Sequence, residues 1–227
     1  MTIASPPSLL LAGATGLIGG LVMRQAKNSS LDVTAVGRTP SGHADRELPW
    51  DFGAPIELPQ ADAAICCLGT TLRKAGSREA FRAVDYGAVL NFANASLRAG
   101  ISHFLVVTAA GARVDASVYY SRVKGEVERD LTSMGFNRLD ILRPGLLRGH
   151  RLESRPIETF LQHVSPLLDP LMIGAWRGYK SIAAELVAAA LLALCHQSQQ
   201  GVYLHDNDAM IQVSRGSASA QSQNELK

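Results

Sequence analysis

The segment Leu9-Leu10-Leu11-Ala12-Gly13-Ala14-Thr15-Gly16-Leu17-Ile18-Gly19-Gly20 constrains this chain more than any other. A short apolar strand runs straight into glycines spaced three apart and leaves into a helix-compatible stretch. Gly13 lets the chain turn tightly off the strand where a Cβ would clash. Gly16 lets the backbone come close to a pyrophosphate, and Gly19 lets the new helix pack closely on the sheet. The helix start then offers unpaired N–H groups and a partial positive charge to phosphates. A glycine-rich turn can occur in any α/β protein. Directly after the first strand, it predicts a dinucleotide site built on Gly13, Thr15, Gly16, Leu17, Ile18 and Gly19.

Strand-like and helix-like segments alternate along the rest of the chain. Strands are predicted at 9–12, 31–36, 46–50, 61–68, 103–108, 138–142 and 202–204. Helices are predicted at 17–27, from Ser77 to Arg98, at 117–134, near 157–164 and at 182–195. This alternation implies an α/β fold, a doubly wound parallel sheet with helices on both faces. With 227 residues and 47% hydrophobic content, one domain is expected over 1–213, including a small C-terminal extension on the substrate side. The residues after Ser214 are small and polar, a composition that predicts a disordered tail over 214–227.

A net charge of +2, dispersed along the chain, argues against nucleic acid or an anionic membrane as partner. Residues 1–8 carry no signal-peptide pattern. The longest apolar run, 182–195, is interrupted by Glu185 and falls short of the roughly 20 residues a bilayer span needs. It reads as a buried helix that faces either the core or a second copy of the chain, as in a homodimer. Three cysteines give no disulfide framework, and Cys66-Cys67 read as small buried hydrophobes. A cytoplasmic location follows. His43, His103, His150, His163, His196 and His205 show no ligand spacing, so no metal is expected.

The end of the second strand usually carries the acidic residue that takes a ribose 2′-hydroxyl. Here it carries Arg38 and then Thr39, while Asp32 lies at the wrong end. A guanidinium binds a 2′-phosphate bidentately where a carboxylate would repel it, so NADP is preferred over NAD. Asp51 and Phe52 can flank the adenine; equally, Trp50 and Phe52 can simply pack.

Tyr120 and Lys124 stand four apart, on one face of a helix. A phenol with a pKa near 10 is a poor base at neutral pH, and a neighbouring ammonium lowers that value, making an acid–base pair. Tyr119 is rotated off that face.

With these motifs in place, the chain resembles an atypical short-chain dehydrogenase/reductase with a Rossmann fold, in the branch holding the Tat-interacting oxidoreductase-like proteins. The similarity covers about residues 8 to 165. It rests on GATGLIGG, on Cys66-Cys67-Leu68-Gly69-Thr70-Thr71 with Lys74-Ala75-Gly76, and on Val84-Asp85 and His103-Phe104. It continues through Tyr120-xxx-Lys124-Gly125-Glu126-Val127-Glu128, Arg143-Pro144-Gly145 and Glu153-Ser154-Arg155-Pro156. The resemblance implies that Leu68, Gly69 and Thr70 line the nicotinamide-side ribose, that Lys124 holds ribose hydroxyls, and that Pro144 and Gly145 cover the nicotinamide. It also makes Tyr120 and Lys124 the catalytic pair.

One departure stands out. The family usually has a serine or threonine after the fifth strand, whose hydroxyl polarises the substrate carbonyl; Ala109 falls there, with Thr108 as a substitute donor pointing to the opposite face. A missing oxyanion donor costs about 10²–10³ in rate. The expected function is NADPH-dependent hydride transfer to a carbonyl-like small molecule of unidentified structure, with Tyr120, Lys124 and Thr108 as the catalytic set. The alternatives are a nucleotide-binding regulatory or interaction protein with little turnover, favoured by Ala109, and a nucleotide-sugar epimerase or dehydratase, for which the chain is short. Arg143, Arg148, Arg151 and Arg155 either meet an anionic substrate group or are solvated, and Arg73 and Lys74 invite the same two readings.

Overall fold

Leu9, Leu10 and Leu11 are buried on both faces of β1 (Ser8–Ala12), so that strand needs a packed layer on either side. The computed structural model describes residues 7–149 other than Asn28 and Ser30, and residues 180–224, of which 217–224 are described as helical backbone alone. β1 pairs in parallel with β2 (Asp32–Gly37) and with β4 (Ala63–Cys66). β3 (Arg46–Pro49) lies beyond β2, and β5 (His103–Val107) and β6 (Arg138–Leu142) follow β4 outward. β7 (Leu147–Arg148) and β8 (Ile182–Ala183) form a separate two-stranded sheet, and β9 (Gly201–His205) completes the main one. The seven strands run in the order β3-β2-β1-β4-β5-β6-β9, all parallel. The winding reverses between β1 and β4, which opens a crevice at their carboxyl ends.

The helices are α1 (Leu17–Ala26), the single turn α2 (Leu72–Ala75), α3 (Arg78–Arg82), α4 (Val89–Arg98), α5 (Tyr119–Ser133), α6 (Ala184–Leu194) and α7 (Asn207–Asn224). Alternate strand residues choose the layer. Leu9, Leu11 and Val33 pack with Val22 of α1 and Leu191 of α6, whereas Leu10, Ala12 and Phe104 pack with Phe92 of α4 and Val127 of α5. This is the doubly wound α/β single domain that the alternation implied.

Three local expectations change. The helix from Ser77 to Arg98 contains a π-helical stretch, Ala83–Ala88, between α3 and α4; such stretches gather at functional sites. Ile182 and Ala183 pair with Leu147 and Arg148 before the apolar helix begins. Within the tail expected from 214, residues up to Asn224 continue α7 as helical backbone. Asp206 Oδ1 accepts from Ala209 N at 2.9 Å to start that helix, Met210 is buried against α6, and a proline-free run of serine, alanine and glutamine extends it. The helix expected near 157–164 lies outside the described residues. No described helix is long and apolar enough to cross a membrane, and no cluster of three His, Cys, Asp or Glu among the described residues could hold a metal ion.

Candidate active site

At the first turn Gly13 takes a φ of +85°, and a Cβ there would lie 2.7 Å from the Cys67 carbonyl group. A Cβ on Gly19 would lie 2.2 Å from Gly13 O, so the third glycine seats α1 against the turn itself rather than against the sheet. Gly16 N donates to Gly13 O at 3.0 Å, and no side chain caps α1. The first-turn N–H groups of Leu17, Ile18 and Gly19 therefore face a cradle that only glycines keep open, and a phosphate fits it. Thr15 is exposed at its lip.

β2 ends beside this turn, since Val36 lies opposite Ala12, and Arg38 and Thr39 emerge from it exposed. Arg38 has no hydrogen-bond or ion-pair partner among the described residues. Asp51 is also exposed, with Oδ1 accepting from Gly53 N at 2.9 Å. The Phe52 ring, by contrast, is not offered to an adenine. Its backbone takes a φ of +66°, Asn91 Nδ2 donates to its carbonyl at 2.5 Å, and the ring is buried 4.6 Å from Trp50. The packing alternative for Phe52 is the one the structure shows.

After β4, Leu68 packs on the core while Gly69 and Thr70 reach the crevice. Thr70 N donates to Asp85 Oδ2 at 2.7 Å, and Thr71 Oγ1 caps α2 by accepting from Lys74 N at 3.1 Å. Burial holds the Cys66 thiol protonated, its pKa pushed up to about 12, in keeping with a small hydrophobe.

Tyr120 and Lys124 do share a face of α5. Lys124 is buried, with Nζ 2.8 Å from Asp85 Oδ1, and a Cβ on Gly69 would stand 3.7 Å from that ammonium. The Tyr120–Lys124 face of α5 is thereby tied to the loop after β4. The Tyr120 ring packs 5.6 Å from Phe81, and its hydroxyl has no hydrogen-bond partner among the described residues. Tyr119 is occupied elsewhere: its hydroxyl donates to Arg78 O at 3.1 Å, under the Arg78 and Arg122 guanidinium groups. The expectation that Lys124 brings the phenol toward ionisation is corrected. Burial raises the Tyr120 pKa above 10, Lys124 opposes this, and Asp85 reinforces it, for a net rise. For Lys124, burial favours the neutral amine, but the carboxylate of Asp85 outweighs it and keeps the ammonium charged.

The Thr108 hydroxyl, expected as a substitute oxyanion donor, is engaged by Glu128. It donates to Glu128 at 2.5 Å, and Glu128 in turn binds Arg143 Nη2 at 2.5 Å. The parity of the strand places it there, as its one-residue offset from Ala109 foretold. Ala109 offers no side-chain donor in its place. Of the loop arginines, Arg143 is thus consumed, Arg148 has its Nε buried without a partner, and Arg151 and Arg155 lie outside the described residues. Arg73 and Lys74 are exposed.

Pro144 O accepts from Ala110 N at 2.9 Å, and Gly145 N donates to Asn207 Oδ1 at 3.0 Å. Sequence reasoning missed Asn207, Glu128 and the part played by Asp85. Glu128 carried a signal, being one turn beyond Lys124 on the same face. Asn207 carried none.

No protein-family model matches the chain. Among solved structures, MoeE5 in complex with UDP-glucose and NAD superposes with a TM-score of 0.67 at 16% identity, over 93% of this chain and 82% of that one. Human epimerase family protein SDR39U1 with NADPH gives 0.64 at 19%, over 88% and 74%. At these identities the likeness is one of fold. Sequence relatives are nearer. HTATIP2 of Rattus norvegicus is 31% identical over 92% of this chain and 90% of its own length, and the mitochondrial protein fmp52 of Aspergillus fumigatus is 31% identical over 82% and 86%. The fungal relatives are named mitochondrial, which overturns the cytoplasmic expectation. That expectation rested on lacking a secretory signal and a disulfide framework, and neither feature tells the cytoplasm from a mitochondrion. With this identity spread over most of its length, the chain belongs to the HTATIP2 and Fmp52 family of atypical short-chain dehydrogenases/reductases.

Proposed function

We propose that this protein is an NADPH-dependent oxidoreductase that reduces a carbonyl-like carbon of a small molecule, with Tyr120 and Lys124 as its acid–base pair. The observation that carries this reading is the placing of Lys124 Nζ against Gly69, with the unbonded Tyr120 phenol one helical turn away. Fold neighbours solved with NAD or NADPH support a nicotinamide nucleotide, and Arg38, exposed and without a partner among the described residues, favours the 2′-phosphorylated form. The α1 N-terminus and Arg38 hold the phosphates, Leu68, Gly69, Thr70 and Lys124 hold the ribose, and Pro144 and Gly145 cover the ring. Bound there, the reduced nucleotide supplies a hydride.

The protein's own contribution is a proton. As the carbonyl carbon is reduced, negative charge grows on its oxygen, and the Tyr120 hydroxyl delivers H⁺ to it to complete the alcohol. A neutral phenol is the form that can donate, and burial keeps Tyr120 in it. Lys124 is charged and faces the developing oxyanion from the next turn of the helix.

Two other readings keep specific support. The engagement of Thr108 by Glu128 favours a nucleotide-binding regulator with low turnover, and the UDP-glucose bound by MoeE5 favours sugar-nucleotide epimerisation. Oxidation of NADPH across a panel of aldehydes and ketones, in wild type and Tyr120→Phe, separates the three. The reductase reading expects turnover lost at least 100-fold in Tyr120→Phe with NADPH affinity unchanged. No oxidation with any carbonyl would favour the regulator, and conversion of UDP-glucose without net cofactor consumption the epimerase.

A further inference from the structure

Asp85 is outside the acid–base pair yet touches both structures that the pair depends on. It lies in the π-helical stretch, its side chain 1% exposed. Oδ2 accepts the Thr70 N–H at 2.7 Å, and Oδ1 stands 2.8 Å from Lys124 Nζ. Oδ1 has no aligned hydrogen bond, so its contact with the lysine is mainly one of charge. The charged and titratable groups facing this pair are few: the Cys66 thiol from β4, and Tyr120 and Lys124 from α5. Arg82 and Tyr86, from the same helical run as Asp85, turn instead to Glu126 and Asp130.

We infer that Asp85 is a positioning residue of this site: its carboxylate clamps the Lys124 ammonium to the Thr70 backbone, so that the lysine and the loop after β4 are held as one unit. The inference rests on the reading of Tyr120 and Lys124 as the acid–base pair. It adds a consequence for direction. With its charge met by Asp85, Lys124 draws less on the phenol proton, and Tyr120 remains a donor, poised for reduction rather than oxidation.

The test is Asp85→Asn, which keeps an oxygen for the Thr70 N–H and removes the charge. Phenol ionisation is followed by ultraviolet difference absorbance between each protein and its own Tyr120→Phe counterpart. Ionisation of Tyr120 shifts to lower pH in Asp85→Asn, the alkaline limb of the rate profile moves the same way, and kcat falls by up to about 100-fold as the lysine loses its seat. Should Asp85→Asn fail to fold, Asp85→Asn/Lys124→Met, which leaves no unpaired buried charge, is compared with Lys124→Met. The two then bind NADPH within twofold of one another, because Asp85 acts through the lysine. An unmoved phenol titration overturns the inference, as does a tenfold weaker affinity in the double variant than in Lys124→Met. Both the titration and the binding comparison read out without turnover, so a failure of the reductase reading is told apart from a failure of the clamp.

Discussion

A Cβ on Gly19 would meet Gly13 O at 2.2 Å, a clash between backbone atoms that no rotamer relieves. The glycine spacing was legible in the sequence because it answers to such fixed backbone geometry. Phe52 was not, because its direction depends on a φ of +66° and on Asn91 reaching across from α4. Arg38 lies between these cases: its position follows from the end of β2, while its role depends on a ligand. Exposed and unpartnered, it has the charge to meet a 2′-phosphate. A charge-assisted contact of this kind is worth about 1.5–3 kcal/mol, so Arg38→Glu weakens NADPH binding by about tenfold to a hundredfold and NADH binding far less. Titration of both nucleotides by fluorescence checks this, and equal losses would contradict the phosphate role.

At the scale of an element, β6 carries an arrangement that its sequence, Arg138 to Leu142, disguises as an ordinary half-polar strand. All five residues are buried. Asp140 accepts from Arg138 Nε at 2.6 Å, and its two oxygens lie 2.8 Å and 2.7 Å from Nε2 of His103 and His205, which joins β5, β6 and β9 through one carboxylate. Three donors were readable as residues, but their convergence follows from a register in which β6 lies between two strands distant in sequence. Burial opposes the charge on Asp140, yet the hydrogen bonds from the two histidines and Arg138 outweigh it and hold the carboxyl well below the usual carboxylate range. The folded form therefore binds this proton less readily than the unfolded chain does. The stabilisation is complete above the unfolded value of about 3.9 and is lost as pH falls through the lower folded value. Asp140→Asn leaves the buried Arg138 uncompensated and costs about 3–5 kcal/mol near neutral pH. Urea melts at neutral and acidic pH read the difference, which narrows as the wild-type carboxylate protonates; a gap independent of pH would show that packing, not charge, holds the strands.

Across the whole molecule, segments far apart in sequence meet at the crevice. The loop after β6 reaches Ala110 through Pro144 O, and Gly145 N reaches Asn207 at the start of α7. Asn207 Nδ2 also donates to Lys180 O at 2.7 Å, so one buried amide joins the loop expected over the nicotinamide to the residues preceding β8. The parallel sheet was legible because alternation repeats along the chain, and the crevice because ligand sites of such sheets open where the strands end at a reversal of winding. This clamp was not, since an asparagine after a strand reads equally as a turn. Asn207→Ala leaves a part-buried backbone N–H and a part-buried carbonyl without their partner, at a cost of about 0.5–1.5 kcal/mol for each bond lost. The melting temperature therefore falls. Added NADPH raises that temperature by less than in wild type, because the loop is no longer held for the ring. A fall in melting temperature with an unchanged NADPH increment would make Asn207 a support of α7 alone, with no part in holding Pro144 and Gly145 over the nucleotide.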